Sequence, residues 1–191
     1  MPTFILVAGP NGSGKSTLTA SIRFPGITEI VDPDAIARTI RPEQPALAAV
    51  AAARQAIRRC SYNITTHASF VVESTLAGHG AIAVMRRAKD AGYRTLLVYV
   101  ALGDPELHVE RVRLRVTQGG HDIPDADIRR RYGRSLIRAP EAIRLADEAL
   151  VLDNSGIRPD CMLAFEVGRM VWKASNCRAW AEDILRRTEV D

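Results

Sequence analysis

Eight consecutive residues decide the fold class of this chain: Gly9-Pro10-Asn11-Gly12-Ser13-Gly14-Lys15-Ser16. The run matches the pattern G-x-x-x-x-G-K-[ST] at every fixed position. An apolar strand pattern, Thr3 to Ala8, precedes it, and a helical pattern, Ser16 to Ile22, follows it. Glycines let the backbone N–H groups turn inward at the positive end of the following helix, where phosphate oxygens bind. The sequence therefore predicts a phosphate loop.

The loop also predicts its ligand. Lys15 should reach the β- and γ-phosphates of a nucleotide, and the Ser16 hydroxyl should ligate Mg²⁺. GTPases read guanine with an Asn/Thr-Lys-x-Asp run, and this sequence has none, so ATP and Mg²⁺ are the predicted cofactors. The predicted nucleotide-binding residues are Gly9, Asn11, Gly12, Ser13, Gly14, Lys15, Ser16, Thr17 and Asn154.

Strand and helix patterns alternate along the chain. The predicted strands are Thr3 to Ala8, Glu29 to Asp32, Ser69 to Val72, Thr95 to Leu102 and Ala149 to Leu152. Alternation of this kind implies right-handed crossovers and an α/β P-loop NTPase fold with a doubly wound, mostly parallel five-stranded sheet. We expect residues 1–191 to form a single kinase domain, with a hairpin and a helix within residues 160–191.

Composition excludes several other classes. Hydrophobic residues make up 47% and charged residues 25% of the chain, as in ordinary globular proteins. The apolar stretch Leu96 to Leu102 is too short to span a bilayer, and no other stretch is long enough. The first residues lack a signal peptide's basic leader, and the three cysteines have no ligand-like spacing. We expect a cytoplasmic protein that does not bind membranes.

Eight of the arginines fall between Arg111 and Arg138, in a chain of net charge +4. Residues of about 111–138 have the pattern of a lid, with two helices joined at Gly119-Gly120, whose closure would exclude water. Arginines stabilise charge on a phosphoryl group in transfer. Arg115 and Arg131 are the predicted catalytic arginines and Arg134 a substrate-binding one, whereas Arg129 and Arg130 should point into solvent. His121 could contact substrate or phosphate, or only order the hinge.

Carboxylates follow the second and third predicted strands. A kinase needs a base beside the γ-phosphate, and Asp34 is the candidate, with a helix N-cap as its structural alternative and Asp32 as the second choice. Glu73 ends a buried strand and should bind substrate or support Mg²⁺ indirectly. Ser74 and Thr75 could assist substrate binding or cap the next helix. A motor ATPase would carry Asp-Glu at a strand end, which Asp153-Asn154 lacks, so a kinase is favoured.

These motifs together resemble the zeta-toxin family of P-loop kinases. The matching runs are Gly9 to Leu18, Pro33 to Ala37, Glu73 to Gly78, Gly119 to Pro124, Ile128 to Leu136, Leu145 to Asp147 and Asp153 to Ser155. The resemblance implies phosphorylation of a nucleotide sugar, UDP-N-acetylglucosamine, at a sugar hydroxyl. It places the base on Asp34, substrate binding on Glu73, and phosphate binding on Arg115 and Arg131. It also implies an antitoxin protein as a possible partner, unless the chain is a housekeeping kinase.

Two other functions remain open at this point. A polynucleotide 5′-hydroxyl kinase would use the same motifs and would suit the basic composition. Aromatic residues are only 5% of the chain, however, which leaves few platforms for stacking unpaired bases, so nucleic acid is not the expected partner. A non-catalytic ATP-switched binding module would lack the base or the lid arginines, and this chain has Asp34 and Arg115.

Overall fold

A seven-stranded sheet carries the fold in the computed structural model, which describes residues 1–22, 26–27, 29–120 and 122–190. The strands are β1 Thr3–Ala8, β2 Glu29–Val31, β3 Phe70–Ser74, β4 Arg94–Ala101, β5 Glu148–Asp153, β6 Asp160–Glu166 and β7 Arg169–Lys173. The helices are α1 Lys15–Ser21, α2 Pro33–Ile40, α3 Ala49–Thr65, α4 Gly80–Asp90, α5 Pro105–Thr117, α6 Asp125–Leu145 and α7 Ala179–Glu189, and a 3₁₀ turn, Pro45–Ala48, precedes α3.

The strand order is β2-β3-β1-β4-β5-β6-β7. The first five strands are parallel, which confirms the predicted doubly wound α/β fold. The last two strands are antiparallel and join the same sheet. The sheet therefore has two strands more than the five predicted, because the hairpin expected near Gly168 continues it. Its turn is only two residues long, and Val167 and Gly168 both have the positive φ that such a turn requires.

Strand β1, the central one of the five parallel strands, is buried on both faces. Phe4 and Leu6 pack into the main hydrophobic cluster, which also contains residues of α3, α4, α6 and α7. Ile5 and Val7, which alternate with them, pack with Val71 on the opposite face. A strand with both faces covered by apolar neighbours reads as a continuous hydrophobic run, which is why this strand could be predicted from sequence. Its carboxyl end holds the phosphate loop at the centre of one sheet edge.

The start of α2 differs from the prediction. Its N-cap is Asp32, whose Oδ1 accepts the backbone N–H of Asp34 at 2.8 Å, and Pro33 takes the first helical position. Proline fits there because that position needs no N–H partner within the helix. The structural alternative for Asp34, a helix cap, is therefore wrong. Ser74 and Thr75 do not cap α4 either, because that helix begins after His79.

Among the helices of the described ranges, none combines the length and the apolar character needed to cross a lipid bilayer. The longest, α6, has 21 residues but carries charged side chains along its length.

Helix α7 is fixed to the end of β5 by one buried polar contact. The indole Nε1 of Trp180 donates to Oδ2 of Asp153 at 3.1 Å, and Oδ1 of the same carboxylate accepts the N–H of Ser155 at 2.8 Å. Asp153 is only 3% exposed, so its charge depends on these donors and on Arg178, whose Nε lies 3.9 Å from Oδ2. The contact fixes the segment that follows β5. In that segment, Asn154 contacts the phosphate loop.

We expect Trp180→Phe to lower the free energy of unfolding by about 1–3 kcal/mol, because the buried carboxylate of Asp153 loses a donor. The matched control is Trp172→Phe on β7, where the side chain is 48% exposed and the change should stay within about 0.5 kcal/mol. Urea unfolding of both variants measures the difference. Equal losses in the two variants would contradict the role given to the Trp180–Asp153 contact.

Candidate active site

A cavity of about 890 Å³ lies at the phosphate loop, within the size range of small-molecule sites. The loop, the chain after β2 and β3, and helices α5 and α6 line it. The predicted site residues that line it are Asn11, Gly12, Gly14, Lys15, Ser16, Thr17, Asp34, Glu73, Ser74, Thr75, Arg115, Arg131, Arg134 and Asn154. Gly9 and Ser13, which also belong to the loop, are buried and do not line the cavity, and His121 lies outside the described residues.

Side chains from elsewhere in the fold hold two carbonyl groups of the loop. The Asn11 carbonyl accepts from His108 Nδ1 at 2.7 Å, and the Ser13 carbonyl accepts from Asn154 Nδ2 at 2.8 Å. In a trans peptide the C=O and the next N–H point to opposite sides. The N–H groups of Gly12 and Gly14 are therefore turned away from these partners, and both residues line the cavity.

Gly9 allows the loop to approach strand β4 closely. Its backbone has a φ of 145°, and a Cβ built on it would lie 1.9 Å from the Val100 carbonyl oxygen. Its N–H donates to the Ser74 carbonyl at 3.1 Å. The loop is thus pressed against β4 and tied to the end of β3, and any side chain at this position would displace it.

Lys15 is the first residue of α1, directly after the loop, and is partly buried. Its Nζ donates to the Pro10 carbonyl at 2.9 Å. Burial lowers the pKa of Lys15 from 10.5 to about 8, although the charges of Asp34 and Glu73 partly oppose that shift. An ammonium group that is desolvated and bonded to a neutral carbonyl gains strongly from an anion, so its environment suits a phosphate.

Ser16 and Glu73 supply oxygen atoms at the mouth of the loop. The Ser16 hydroxyl donates to Oε2 of Glu73 at 2.7 Å, and Glu73 is only 6% exposed. Within the described residues, no three His, Cys, Asp or Glu side chains form a metal-binding cluster. Mg²⁺ usually binds through few protein oxygens, waters and substrate phosphates, and the Ser16 hydroxyl and the Glu73 carboxylate are oxygen donors that could take part in such a site.

The two aspartates after β2 have different surroundings. Asp32 caps α2 and lies 3.6 Å from the Arg38 guanidinium. The Asp34 carboxylate is exposed to the cavity and has no hydrogen-bond or ion-pair partner in the part of the chain that the structure describes. Of the carboxylates that oppose the lowered pKa of Lys15, Asp34 has the largest effect. Asp34 is thus the available carboxylate beside the loop.

Five arginines of the lid segment line the cavity: Arg111, Arg115, Arg130, Arg131 and Arg134. Arg129 points outward as predicted, with Nε 2.6 Å from Glu106. Arg130 was expected in solvent as well and instead lines the cavity, although Nη2 also lies 2.9 Å from Asp127. Arg130 and Arg134 are four residues apart on α6, so one helix face brings both to the cavity.

Sequence reasoning missed Arg111 as a site residue. It lies one helical turn before Arg115 on α5 and donates to the Asn154 carbonyl at 2.8 Å. The spacing of four residues would have found it, because residues at that spacing share a helix face. Arg131 reaches the loop from α6, with Nη1 3.3 Å from Oδ1 of Asn11.

Gly119 and Gly120 end α5. Gly119 has a φ of 84°, its N–H donates to Val116, and the Gly120 N–H donates to the Arg115 carbonyl at 2.9 Å. This pattern is a Schellman motif, which needs glycine at the positive φ. A Cβ on Gly120 would lie 2.5 Å from Cγ of Arg115. The glycines thus give the helix a defined end and leave room for the Arg115 side chain.

His108 is a further residue that the sequence did not single out. It is fully buried on α5, with Nδ1 at the Asn11 carbonyl and Nε2 accepting the Leu102 N–H at 3.1 Å. Burial lowers the pKa of His108 to about 4, and the nearby charges of Lys15 and Arg111 act in the same direction. The imidazole is therefore neutral at neutral pH.

Comparison with known proteins places the chain in a family. The AAA domain family matches residues 4–145, which include the phosphate loop, both aspartates, Glu73 and the lid arginines. The chain belongs to this family. An uncharacterized protein of Haemophilus influenzae is 38% identical over 128 residues, which span 67% of this chain and 91% of that protein.

Solved structures share the fold of this AAA domain protein. One comes from the PezAT chromosomal toxin–antitoxin system of Streptococcus pneumoniae, with a TM-score of 0.66, 17% identity, and coverage of 98% of this chain and 78% of that chain. Another is the AvrRxo1-ORF1:-ORF2 complex with ATP, with a TM-score of 0.72, 15% identity, and coverage of 98% and 64%. At these identities the likeness shows the fold alone, which is an α/β P-loop NTPase fold.

We expect NMR of the lysine side chains between pH 6 and 11 to show Lys15 half-titrated near pH 8. The sequence has two other lysines, Lys89 and Lys173, so the spectrum is simple. Lys173 serves as the control, because its contact with Glu182 raises its pKa above the ordinary value. Lys15→Arg identifies the signal by its loss. A Lys15 that titrates near pH 10.5 would contradict the desolvated environment described for the loop.

Proposed function

We propose that the chain is an ATP-dependent kinase that transfers the γ-phosphoryl group to a hydroxyl of a small acceptor, specifically a nucleotide sugar such as UDP-N-acetylglucosamine. The observation that carries the proposal is a single cavity lined by the phosphate loop, the available carboxylate of Asp34 and five arginines. A site that only bound a nucleotide would not need a carboxylate that is exposed and unpaired within the described residues. Phosphoryl transfer requires a phosphate-binding loop, a base for the attacking hydroxyl and positive charge at the transferred group.

The donor nucleotide would lie on the phosphate loop. The N–H groups of Gly12 and Gly14 would bind phosphate oxygens, and Lys15 would exchange the Pro10 carbonyl for a phosphate. Ser16, now bonded to Glu73, would hold Mg²⁺, and Glu73 would support it through water. Bound Mg²⁺ would neutralise charge on the phosphates.

The acceptor would lie between α2 and the chain after β3. Asp34 would accept the proton of the attacking hydroxyl, as a general base in hydrogen-bond reach. Ser74 and Thr75 already accept backbone N–H groups, from Leu76 at 3.0 Å and from Ala77 at 3.5 Å. Each hydroxyl keeps its own proton, which it can donate to an oxygen of the acceptor.

The arginines would stabilise charge during transfer. We assign Arg115 and Arg131 to the transferred phosphoryl group, as the zeta-toxin resemblance implies. Both line the cavity, and Arg131 already reaches the loop at Asn11. Arg130 and Arg134 line the same cavity from α6, and Arg130 also pairs with Asp127. An acceptor that carries phosphates of its own would give these two arginines an anionic ligand. A nucleotide sugar is such an acceptor, and it is the one that the zeta-toxin resemblance implies.

The proposal includes an antitoxin protein as partner. The PezAT relative comes from a toxin–antitoxin system, and the AvrRxo1 relative was solved as a complex of two gene products. The support for an antitoxin partner is thus that other proteins with this fold come from a toxin–antitoxin system or were solved as a complex.

The direct test is transfer of label from γ-labelled ATP to a panel of acceptors: UDP-N-acetylglucosamine, UDP, free nucleosides and a 5′-hydroxyl oligonucleotide. We expect label on the nucleotide sugar and none on UDP, which has ribose hydroxyls but lacks those of N-acetylglucosamine. Label on the oligonucleotide would assign the chain to the polynucleotide kinases instead. ATP binding without label on any acceptor would support a binding module and contradict the proposal.

We expect Asp34→Asn to reduce transfer to the acceptor by roughly 10²–10⁴-fold, because asparagine cannot take the proton. ATP affinity and melting temperature should hardly change, since Asp32 caps the helix. The control is Asp32→Asn, in which asparagine still caps α2 and transfer should persist. Single-turnover rates of both variants decide the matter. Loss of transfer in Asp32→Asn alone would move the base to Asp32.

A further inference from the structure

The His108 ring joins two buried backbone groups that lie far apart in sequence. The Leu102 N–H can only donate and the Asn11 carbonyl can only accept, so the ring must be neutral with its proton on Nδ1. A leucine-sized side chain could fill the same space. It would, however, leave the buried carbonyl and the buried N–H without a partner, which is costly.

The bond to Asn11 acts on the part of the loop that binds phosphate. It fixes the peptide between Asn11 and Gly12, and thereby the direction of the Gly12 N–H. The loop also lies tightly on α5 at this point, because a Cβ on Gly12 would be 2.6 Å from the His108 carbonyl oxygen. A rotation of this peptide would turn one N–H donor out of the cavity.

Asn11 has a second contact that depends on the same peptide. Its side chain is buried, and its Oδ1 accepts from Nη1 of Arg131 at 3.3 Å. His108, Asn11 and Arg131 therefore form a chain of contacts from α5 through the loop to α6. Helix α5 also presents Arg111 and Arg115 to the cavity. The contact chain thus ties the loop to both helices that supply the arginines.

We infer that His108 is a positioning residue, which holds the Asn11–Gly12 peptide in the phosphate-binding orientation and keeps Asn11 in place to dock Arg131. The inference rests on the proposed function, because it concerns how this site binds ATP. His108 does not touch the reacting atoms. It acts through the hydrogen bond from Nδ1, whereas its bond to Leu102 serves to orient the ring.

Two substitutions separate the two hydrogen bonds. In His108→Asn the amide nitrogen can take the place of Nδ1 and keep the bond to Asn11. In His108→Gln the amide oxygen can take the place of Nε2 and keep the bond to Leu102 instead. We expect His108→Asn to bind ATP·Mg²⁺ within about threefold of the parent and His108→Gln to bind about tenfold more weakly, the effect of one hydrogen bond. The two variants should melt at similar temperatures.

The control is His67→Gln at an exposed histidine, which should leave affinity unchanged. Equal affinities of the two His108 variants, or losses that follow their melting temperatures, would overturn the inference. A parent that binds ATP but labels no acceptor counts against the proposed function alone, since the comparison of affinities does not need transfer. A parent that binds no ATP would contradict both.

A measurement on the parent protein covers the case in which neither variant folds. ¹⁵N NMR of the histidines should show a ring protonated at Nδ1 across neutral pH, as the two contacts of His108 require. ATP·Mg²⁺ should shift that signal and slow the exchange of its proton. A signal that ATP does not change, in a protein that binds ATP, would overturn the inference.

Discussion

The orientation of the peptides in the loop between β1 and α1 is the constraint on which the rest of the structure depends. N–H groups can converge on a phosphate only if the carbonyls of the same peptides point the other way. Those carbonyls are buried and need donors. His108 on α5 and Asn154 after β5 provide them. The sheet order, with β4 beside β1 and β5 beside β4, brings both side chains to the loop.

The same arrangement concentrates positive charge around one cavity. Lys15 is desolvated, and five arginines from α5 and α6 line the cavity. On the outside of the lid segment, Arg113 and Arg129 pair with acidic side chains. A concentration of positive charge in a cavity favours an anionic ligand. The number of lid arginines that line the cavity, of which Arg130 also pairs with Asp127, is what makes this segment a candidate for phosphate binding.

Local signals predicted the loop, the five parallel strands and the residues that line the cavity near them. The motif has fixed spacing and strand β1 is apolar throughout, so few alternatives existed. His108 could not be predicted, because its role depends on contacts with Asn11 and Leu102 that only the folded sheet creates. Asp32 and not Asp34 caps α2, because Pro33 takes the first helical position. The preference of proline for that position was available from sequence.

Calorimetry of ATP·Mg²⁺ binding to the parent and to Lys15→Ala tests the central claim, that this loop is a site for nucleoside triphosphate. Lys173→Ala is the control with the same loss of charge, because that lysine pairs with Glu182 on the surface. The parent and the control should bind one ATP per chain with equal affinity. Lys15→Ala should bind about 10–100-fold more weakly without loss of folding, as expected for a lost charge-assisted hydrogen bond. Unchanged affinity in Lys15→Ala, or no ATP binding by the parent, would contradict the account.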